Sequence, residues 1–384
     1  MQVAIRGAGH NWHNPVLQQG GLLLDLSGLT ELHVNAAQQT ATVQPGINGA
    51  RLMAQLARHG LAFPIGHEPR VPMSGYLLNG GLGWNYRVWG PACANVTAIE
   101  LIDAHGEPLL ADRDHHADLF WAARGAGPGF FGVVTRFHLL AHPLPGAMLR
   151  STLIYSLEDT EPLADWLTRL VPLDPRVELI CSFSEHRWTV TAVSFAANSV
   201  EAHRVLEPLE AAPPALKATQ QYLFESVDAE AVFGPFDAQF APGPRYAGDT
   251  LWSNASPKEL MLRVVGRLSS APAGGAVEFV WLSRVGDTPP SDMAYTMHGS
   301  TYVHAHTLWE DAVADEAMVA WTRGTIAALE PLATGYYVGE SALTLPSARA
   351  RGCFSPDAWD RLARLKHRYD PDDRFHSSLQ WGAR

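Results

Sequence analysis

The stretch Arg124-Gly125-Ala126-Gly127-Pro128-Gly129-Phe130-Phe131-Gly132 runs into Val133–Leu140, and this neighbourhood decides the fold. A dinucleotide fingerprint of the Rossmann kind needs G-x-G-x-x-G leading from a strand into a helix, so that a pyrophosphate meets the helix N-terminus. After Gly125 and Gly127 the third glycine would fall at position 130, which is Phe. Val133–Leu140 is rich in β-branched and aliphatic residues and reads as a strand. Two further glycine clusters are Arg6-Gly7-Ala8-Gly9-His10 and Gly75 through Asn79-Gly80-Gly81-Leu82-Gly83-Trp84. The first is followed by loop residues, Asn11-Trp12-His13-Asn14-Pro15, so the same objection applies. Glycine admits positive φ and close backbone approach, so successive N–H groups can converge on an anion such as a pyrophosphate. Tight turns between strands are the alternative for any one cluster. If these loops hold a dinucleotide, they do so in another fold.

Around the clusters, residues 1–146 alternate short strands with few helices. Strands are expected at Gln2–Arg6, Leu22–Leu26, Thr40–Gln44, Val96–Asp103 and Val133–Leu140. A helix is expected over Gly49–His59 between an Asn48 N-cap and a Gly60 stop, and another over His115–Arg124 closed by Gly125. Past the turn His142–Gly146 the texture changes. Strand-like runs at Leu149–Tyr155, Val177–Phe183, Trp188–Phe195, Val277–Leu282 and Thr301–Leu308 are interleaved with amphipathic helices beginning near Asp159, Ser199, Ser256 and Ala312. The section 147–345 thus reads as an α+β domain built on an antiparallel sheet. A last helix, from Ser355-Pro356 to Tyr369, lies in a C-terminal segment 346–384 that returns to the first domain.

Composition narrows the function classes. The 384 residues are 47% hydrophobic and 17% charged, with 33 Gly and 27 Pro, which describes a folded, loop-rich protein. Lys and Arg total 28 against 39 acids, for a net charge of −11, and the absence of a long basic run argues against nucleic acid. Apolar runs such as Gly21–Leu24 and Ala276–Leu282 are far too short to span a bilayer, so no membrane partner is expected. Cys93, Cys181 and Cys353 are odd in number and far apart, against a disulfide framework. With no apparent leader before Val3, a reduced, cytoplasmic location is expected. No G-x-S-x-G element suggests an acyl-transfer nucleophile.

The segment Val3–His10 closely resembles the V-x-x-R-G-G-G-H loop of berberine-bridge-enzyme-like FAD-linked oxidases, within the p-cresol-methylhydroxylase-type flavoproteins. Further segments agree in order. Gly21–Ser27 is similar to the family's G-G-L-x-I-D-L-S, Val43–Gly46 to V-x-x-G, and Gly60–Gly66 to G-L-x-x-P-x-G. Gly75–Trp84 matches G-x-x-x-G-G-G-x-G-W, Asp118–Val134 matches D-L-F-W-A-x-R-G-G-G-x-x-F-G-V-V, and Tyr369-Asp370-Pro371 with Phe375 resembles Y-D-P-x-N-x-F. The resemblance implies an α+β, two-domain fold: an FAD-binding domain over 1–146, an antiparallel-sheet substrate domain over 147–345 and the returning segment 346–384. It implies FAD as cofactor, a small-molecule substrate and O2 as electron acceptor.

The family pattern also assigns roles. The flavin is often tethered through its C8 methyl to the histidine matching His10, with Arg6, Gly7, Ala8, Gly9 and Asn11 around it. The other cofactor positions implied are Gly66, Val71, Gly75, Asn79, Gly80, Gly81, Gly83, Trp84, Asn95, Val96, Gly132, Val133 and Gln380. Glu68 stands where some members carry a second tethering cysteine, so a bicovalent flavin is not expected. Val71 matches a position where valine accompanies oxygen reactivity. The reaction implied passes a hydride from a substrate C–H bond to flavin N5 and then to O2. Tyr337 matches the proton-accepting tyrosine of a Y-x-N strand, with Gly339 in place of the asparagine and Glu340 next to it, as an acid/base or a surface carboxylate. Burial alone would raise a phenol, so a base at Tyr337 calls for a neighbour that lowers its pKa.

Three features stay open. His304 and His306 share one face of a strand, a spacing that can support a metal, but the sequence places no third ligand, and no metal is expected. The resemblance makes His304 and Tyr302 candidate substrate contacts. Family members carry several dozen residues ahead of the histidine loop, whereas Met1 here stands nine residues before His10; either the start is set too late or a supporting layer is missing. That departure, with the altered Tyr337–Glu340 and Ser378–Gln380 segments, motivates the second reading, a non-catalytic remnant that is flavin-binding or merely structural.

Overall fold

The computed structural model describes all residues except 14, 18, 214–215, 234–243, 283–286, 288–291, 344–347, 380 and 382–384. The chain divides into two units. Unit 1 comprises Met1–Leu144, Pro289–Met297 and Tyr337–Arg384; unit 2 comprises Pro145–Thr288 and His298–Tyr336. The sequence reading had kept 289–297 and 337–345 with the second domain. Hydrogen bonds explain the difference: Ala294 N–H donates to Trp121 O (3.1 Å), Tyr295 N–H to Arg124 O (2.9 Å), and Ser355 N–H to Thr296 Oγ1 (2.9 Å). No local pattern announces an excursion fixed by such distant partners.

Unit 1 contains β1 (Val3–Arg6), β2 (Leu22–Asp25), β3 (Leu32–Asn35), β4 (Thr40–Val43), β5 (Leu61–Ala62), β6 (Val96–Ile102), β7 (Pro108–Ala111), β8 (Val133–Leu140) and β9 (His142–Pro143). A five-stranded antiparallel sheet has the order β3-β4-β8-β6-β7. Its edges β3 and β7 are four-residue strands that the sequence reading did not anticipate. Val133–Leu140 is a strand as expected, with Val133 opposite Ile102, which confirms the objection to a Rossmann turn. Strand β1 pairs in parallel with β2 and bridges Phe375. Val3 N–H donates to Arg374 O (2.6 Å) and His376 N–H donates to Val3 O (2.9 Å), so the C-terminal segment joins the first strand. Asn48 caps the helix Gly49–Ala57 by accepting from Arg51 N–H at 2.9 Å, as its position predicts.

Two resemblance motifs turn out to pin one another. Tyr369 donates from its hydroxyl to Asp118 Oδ1 at 2.8 Å. Asp370, 2% exposed, forms an ion pair with Lys366 and accepts from Arg374 N–H (2.7 Å) and Phe375 N–H (2.9 Å). The residues that looked like a terminal signature therefore have a structural task.

Unit 2 contains β10 (Ala147–Ser156), β11 (Val177–Ser184), β12 (Arg187–Ala196), β13 (Gln220–Val227), β14 (Arg245–Ser253), β15 (Gly275–Trp281), β16 (Thr301–Trp309) and β17 (Ala333–Gly335). These form an antiparallel sheet in the order β13-β10-β12-β11-β15-β16-β14-β17. Strand side chains alternate between faces. Val277, Phe279, Val303 and Ala305 enter the apolar core with Leu163, Leu167, Leu260, Val264 and Ile326 of the helices Thr160–Leu170, Pro257–Leu268 and Asp315–Leu329. Glu278, His304 and His306 consequently occupy the opposite face. The helix at Pro257 starts with a capping box: Ser256 and Glu259 each accept from the other's backbone N–H. Strand β14 was not among the expected strands; it pairs along its whole length with β16. Among the described residues, no helix is long and apolar enough to cross a membrane.

Candidate active site

Within unit 1 the glycine clusters converge. Helix Met73–Leu78 leads into Asn79–Gly83, so the central cluster is a helix followed by a backbone loop. Gly81 has φ +83°, and a Cβ there would lie 2.7 Å from Ala92 Cβ and 2.9 Å from the Tyr76 ring. Gly125 has φ +130°, with its would-be Cβ 2.2 Å from the backbone nitrogen of Tyr295. Both positions require glycine on two counts, conformation and space. Gly66, Gly83 and Gly132 are set closely against Tyr76, Ile65 and Leu101, which gives them a packing task as well.

The loop after β1 packs on the start of that helix: a Cβ at Gly7 would meet Ser74 Oγ at 2.1 Å. Arg6 approaches Asp25 at 3.9 Å, and Ala8, Gly9 and His10 are exposed. The next residues dock on the tyrosine segment. Asn11 Nδ2 donates to Gly339 O at 2.7 Å, and His13 Nε2 lies 3.2 Å from Glu340 O. The structure thereby brings together three sequence-separated candidates: the His10 loop, the Gly80-Gly81 turn and Tyr337–Glu340.

Tyr337 is buried, and its hydroxyl accepts from Gly81 N–H at 3.2 Å. Gly339 replaces the family's asparagine for a visible reason, since a Cβ there would lie 2.7 Å from the Tyr337 ring. Burial holds the Tyr337 phenol well above its usual range, and the half-buried Glu340 raises it further; the Gly81 N–H pulls the other way. The lowered pKa expected of a tyrosine base is therefore not what the polypeptide imposes. Tyr295 stands edge-on to Tyr337 with ring centroids 6.5 Å apart, and its hydroxyl lies 3.3 Å from that of Tyr86. Burial raises both of these phenols too. Sequence reasoning missed Tyr295, which reaches the cluster only through the excursion at 293–297.

The remaining candidates are placed as follows. Trp84 is buried, with its backbone N–H on Ile65 O at 3.0 Å and its ring against His67. Asn95 donates to Trp89 O at 3.1 Å and contacts His142 Nε2 at 2.8 Å, just before Val96 opens β6. Val71 is half-buried, and its carbonyl accepts from Gly49 N–H at 3.2 Å. Glu68 forms an ion pair with Arg70 at 2.7 Å. Gly75 is exposed on its helix, and Gln380 lies outside the described residues. Cys93 is buried, which pushes its thiol up to about 12.

Tyr302 and His304 lie on β16 in unit 2, together with His306. Tyr302 packs on Trp252 with centroids 5.2 Å apart. Burial, and after it the adjacent His304, lower His306 to about 4, with Glu278 opposing. The sequence placed no third group here; the structure supplies Glu278, the direct cross-strand partner of His304.

A dinucleotide fits the unit 1 cradle on its own chemistry. Among the described residues, Ser74 Oγ and Asn79 Oδ1 are buried polar atoms without a hydrogen-bond partner, at the meeting of the glycine loops. Buried polar atoms of this kind call for a polar ligand. Residues 1–111 match the FAD binding domain family. The chain is thus a flavoprotein with FAD as its cofactor. It is 29% identical to the FAD-linked oxidoreductase janO of Penicillium janthinellum over 98% of this chain and 85% of that one. A shorter similarity, 34% over 44% of this chain and 37% of the relative, is to (R)-6-hydroxynicotine oxidase of Paenarthrobacter nicotinovorans. The fold is that of the Physcomitrella patens BBE-like 1 protein, with TM-score 0.86 at 16% identity over 100% of this chain and 87% of that one. A 6-hydroxy-D-nicotine oxidase from Arthrobacter nicotinovorans superposes with TM-score 0.84 at 24% identity, over 98% and 86%. The chain therefore carries the FAD binding domain, is similar along nearly its whole length to FAD-linked oxidoreductases, and has the berberine-bridge-enzyme-like fold.

Proposed function

We propose that the protein is an FAD-dependent oxidase that removes a hydride from a C–H bond of a small organic molecule: an alcohol, sugar, alkaloid or other secondary metabolite. The observation that carries this reading is the docking of the Asn11–His13 loop onto Gly339–Glu340, beside a Tyr337 hydroxyl held by Gly81 N–H. Acid–base groups and the cofactor loop then share one place. Bound FAD supplies the two-electron acceptor at N5 and the centre that reacts with O2. Ser74 and Asn79, beside the close-packed glycine loops, hold the cofactor, and His10 is its tethering residue. The similarity to a hydroxynicotine oxidase supports nitrogenous alkaloids within the substrate class.

Tyr337 enters the reaction as a neutral phenol, because burial and Glu340 both disfavour its phenolate. It relays the substrate's proton through its hydroxyl, and Glu340 is the carboxylate that takes the proton up. The unit 2 sheet is the substrate domain, with Tyr302 and His304 as contacts. Anaerobic bleaching of bound FAD by a candidate substrate, followed by stoichiometric peroxide on admitting O2, tests the reading. Tyr337→Phe is expected to lower turnover by about 10²–10⁴, the usual worth of a positioned acid or base; full turnover would remove Tyr337 from the mechanism. Protein that never retains flavin would favour the remnant reading. Yellow colour that stays with acid-precipitated polypeptide, and is lost in His10→Ala, tests the tether.

A further inference from the structure

Strands β15 and β16 place three ligand-type side chains on one sheet face. Glu278 and His304 are direct antiparallel partners, and His306 follows two residues along, on the same side. His304 Nδ1 lies 3.7 Å from Glu278 Oε2, and the two imidazole centroids are 4.9 Å apart at 30°. One ligand atom from each residue lies within 4.8 Å of the others. His304 is 5% and His306 1% exposed, and the Glu278 side chain 14%. Gly248 is the direct partner of His306 on β14.

We propose that Glu278, His304 and His306 form a divalent transition-metal site of the zinc class. Zinc–nitrogen and zinc–oxygen bonds of about 2.0–2.2 Å in tetrahedral geometry separate ligand atoms by about 3.4 Å. The His304–Glu278 pair is already near that spacing, and small imidazole and carboxylate rotations bring His306 in. Two imidazoles and one carboxylate suit zinc, cobalt or nickel rather than calcium or magnesium. The backbone can hold such a set in place, because β16 is paired on both sides and its reverse face is packed into the core. Three protein ligands leave a fourth position for water or for an oxygen or nitrogen of a bound molecule, the pattern of an open rather than a closed zinc site.

All three ligands lie in unit 2, so this inference stands apart from the flavin reading and has its own readout. The full chain is stripped with chelator, reloaded with zinc or cobalt chloride and desalted, and its metal is measured. About one equivalent per chain is expected, with the intense visible d–d bands of four-coordinate cobalt. A His304→Ala/His306→Ala double variant is expected to retain none, and Glu278→Gln to bind at least tenfold more weakly with flavin content unchanged. Wild-type protein that takes up no metal, or a folded double variant that binds as well as wild type, overturns the site. Should the double variant fail to fold, Glu278→Gln and the wild-type cobalt spectrum decide: unchanged affinity or six-coordinate, weakly coloured cobalt rejects it. Zinc uptake by protein that never binds flavin would leave this proposal standing while removing the oxidase.

Discussion

The two units are specified by different means. Unit 1 is held by named polar contacts between motif residues: Tyr369 on Asp118, Asp370 on Lys366 and on two backbone amides, Asn11 on Gly339. Unit 2 is held by alternation, with one sheet face packed against amphipathic helices. Sequence motifs are dense where the backbone must adopt unusual conformations and sparse where any apolar residue of the right size would serve. That contrast predicts where each unit is fragile.

The largest loss is expected in unit 2. Phe279 is fully buried between Trp188 and its helical neighbours, so Phe279→Ala is expected to cost about 3–5 kcal/mol in unfolding free energy by denaturant titration. In unit 1 the corresponding weak point is charged. Asp370→Asn keeps the shape but strips the partner from a lysine that is 10% exposed. A cost of about 3 kcal/mol is expected, at the lower end for a broken buried pair because Asp373 still approaches Lys366 at 2.9 Å. A cost under 1 kcal/mol for Asp370→Asn would mean that the motif is not a structural pin.

Legibility followed the same division. Val133–Leu140, the Asn48 cap and the helix start at Ser256 rest on local chemistry, and all three were readable in advance. The grouping of His10, Gly81 and Tyr337 was readable only as separate motifs, since their proximity depends on hydrogen bonds spanning hundreds of residues. Tyr295 and Glu278 were not readable. Each gains its meaning from a partner strand or loop that no local period reveals.

The three tyrosines give a pH test of unit 1. Tyr86, Tyr295 and Tyr337 have phenols raised by burial, so in the folded state they stay protonated where the unfolded chain would ionise. Their stabilising contribution is complete below the ordinary phenol value of about 10 and is lost as pH rises above it. The folding equilibrium should then fall by up to about tenfold per pH unit for each buried phenol. Denaturant midpoints between neutral pH and pH above 10, compared with Tyr86→Phe, check the sign; a variant with the same alkaline slope as wild type would show that Tyr86 ionises normally.

The smallest effect is the most discriminating. Gly75 belongs to the same motif as Gly81, yet it sits on the exposed side of helix Met73–Leu78, and a Cβ there would meet only Asn79 Nδ2 at 3.9 Å. Alanine is favoured over glycine in a helix by up to about 1 kcal/mol, through reduced freedom of the unfolded chain. Gly75→Ala is therefore expected to stabilise the protein slightly if glycine at this position answers to no polypeptide contact. A raised unfolding midpoint together with weakened FAD retention would mark position 75 as reserved for the cofactor, as the resemblance implies. A raised midpoint with FAD held as tightly as before would assign this glycine to neither packing nor the flavin, and would confine the cradle to Gly80, Gly81 and the loops around Ser74 and Gly125.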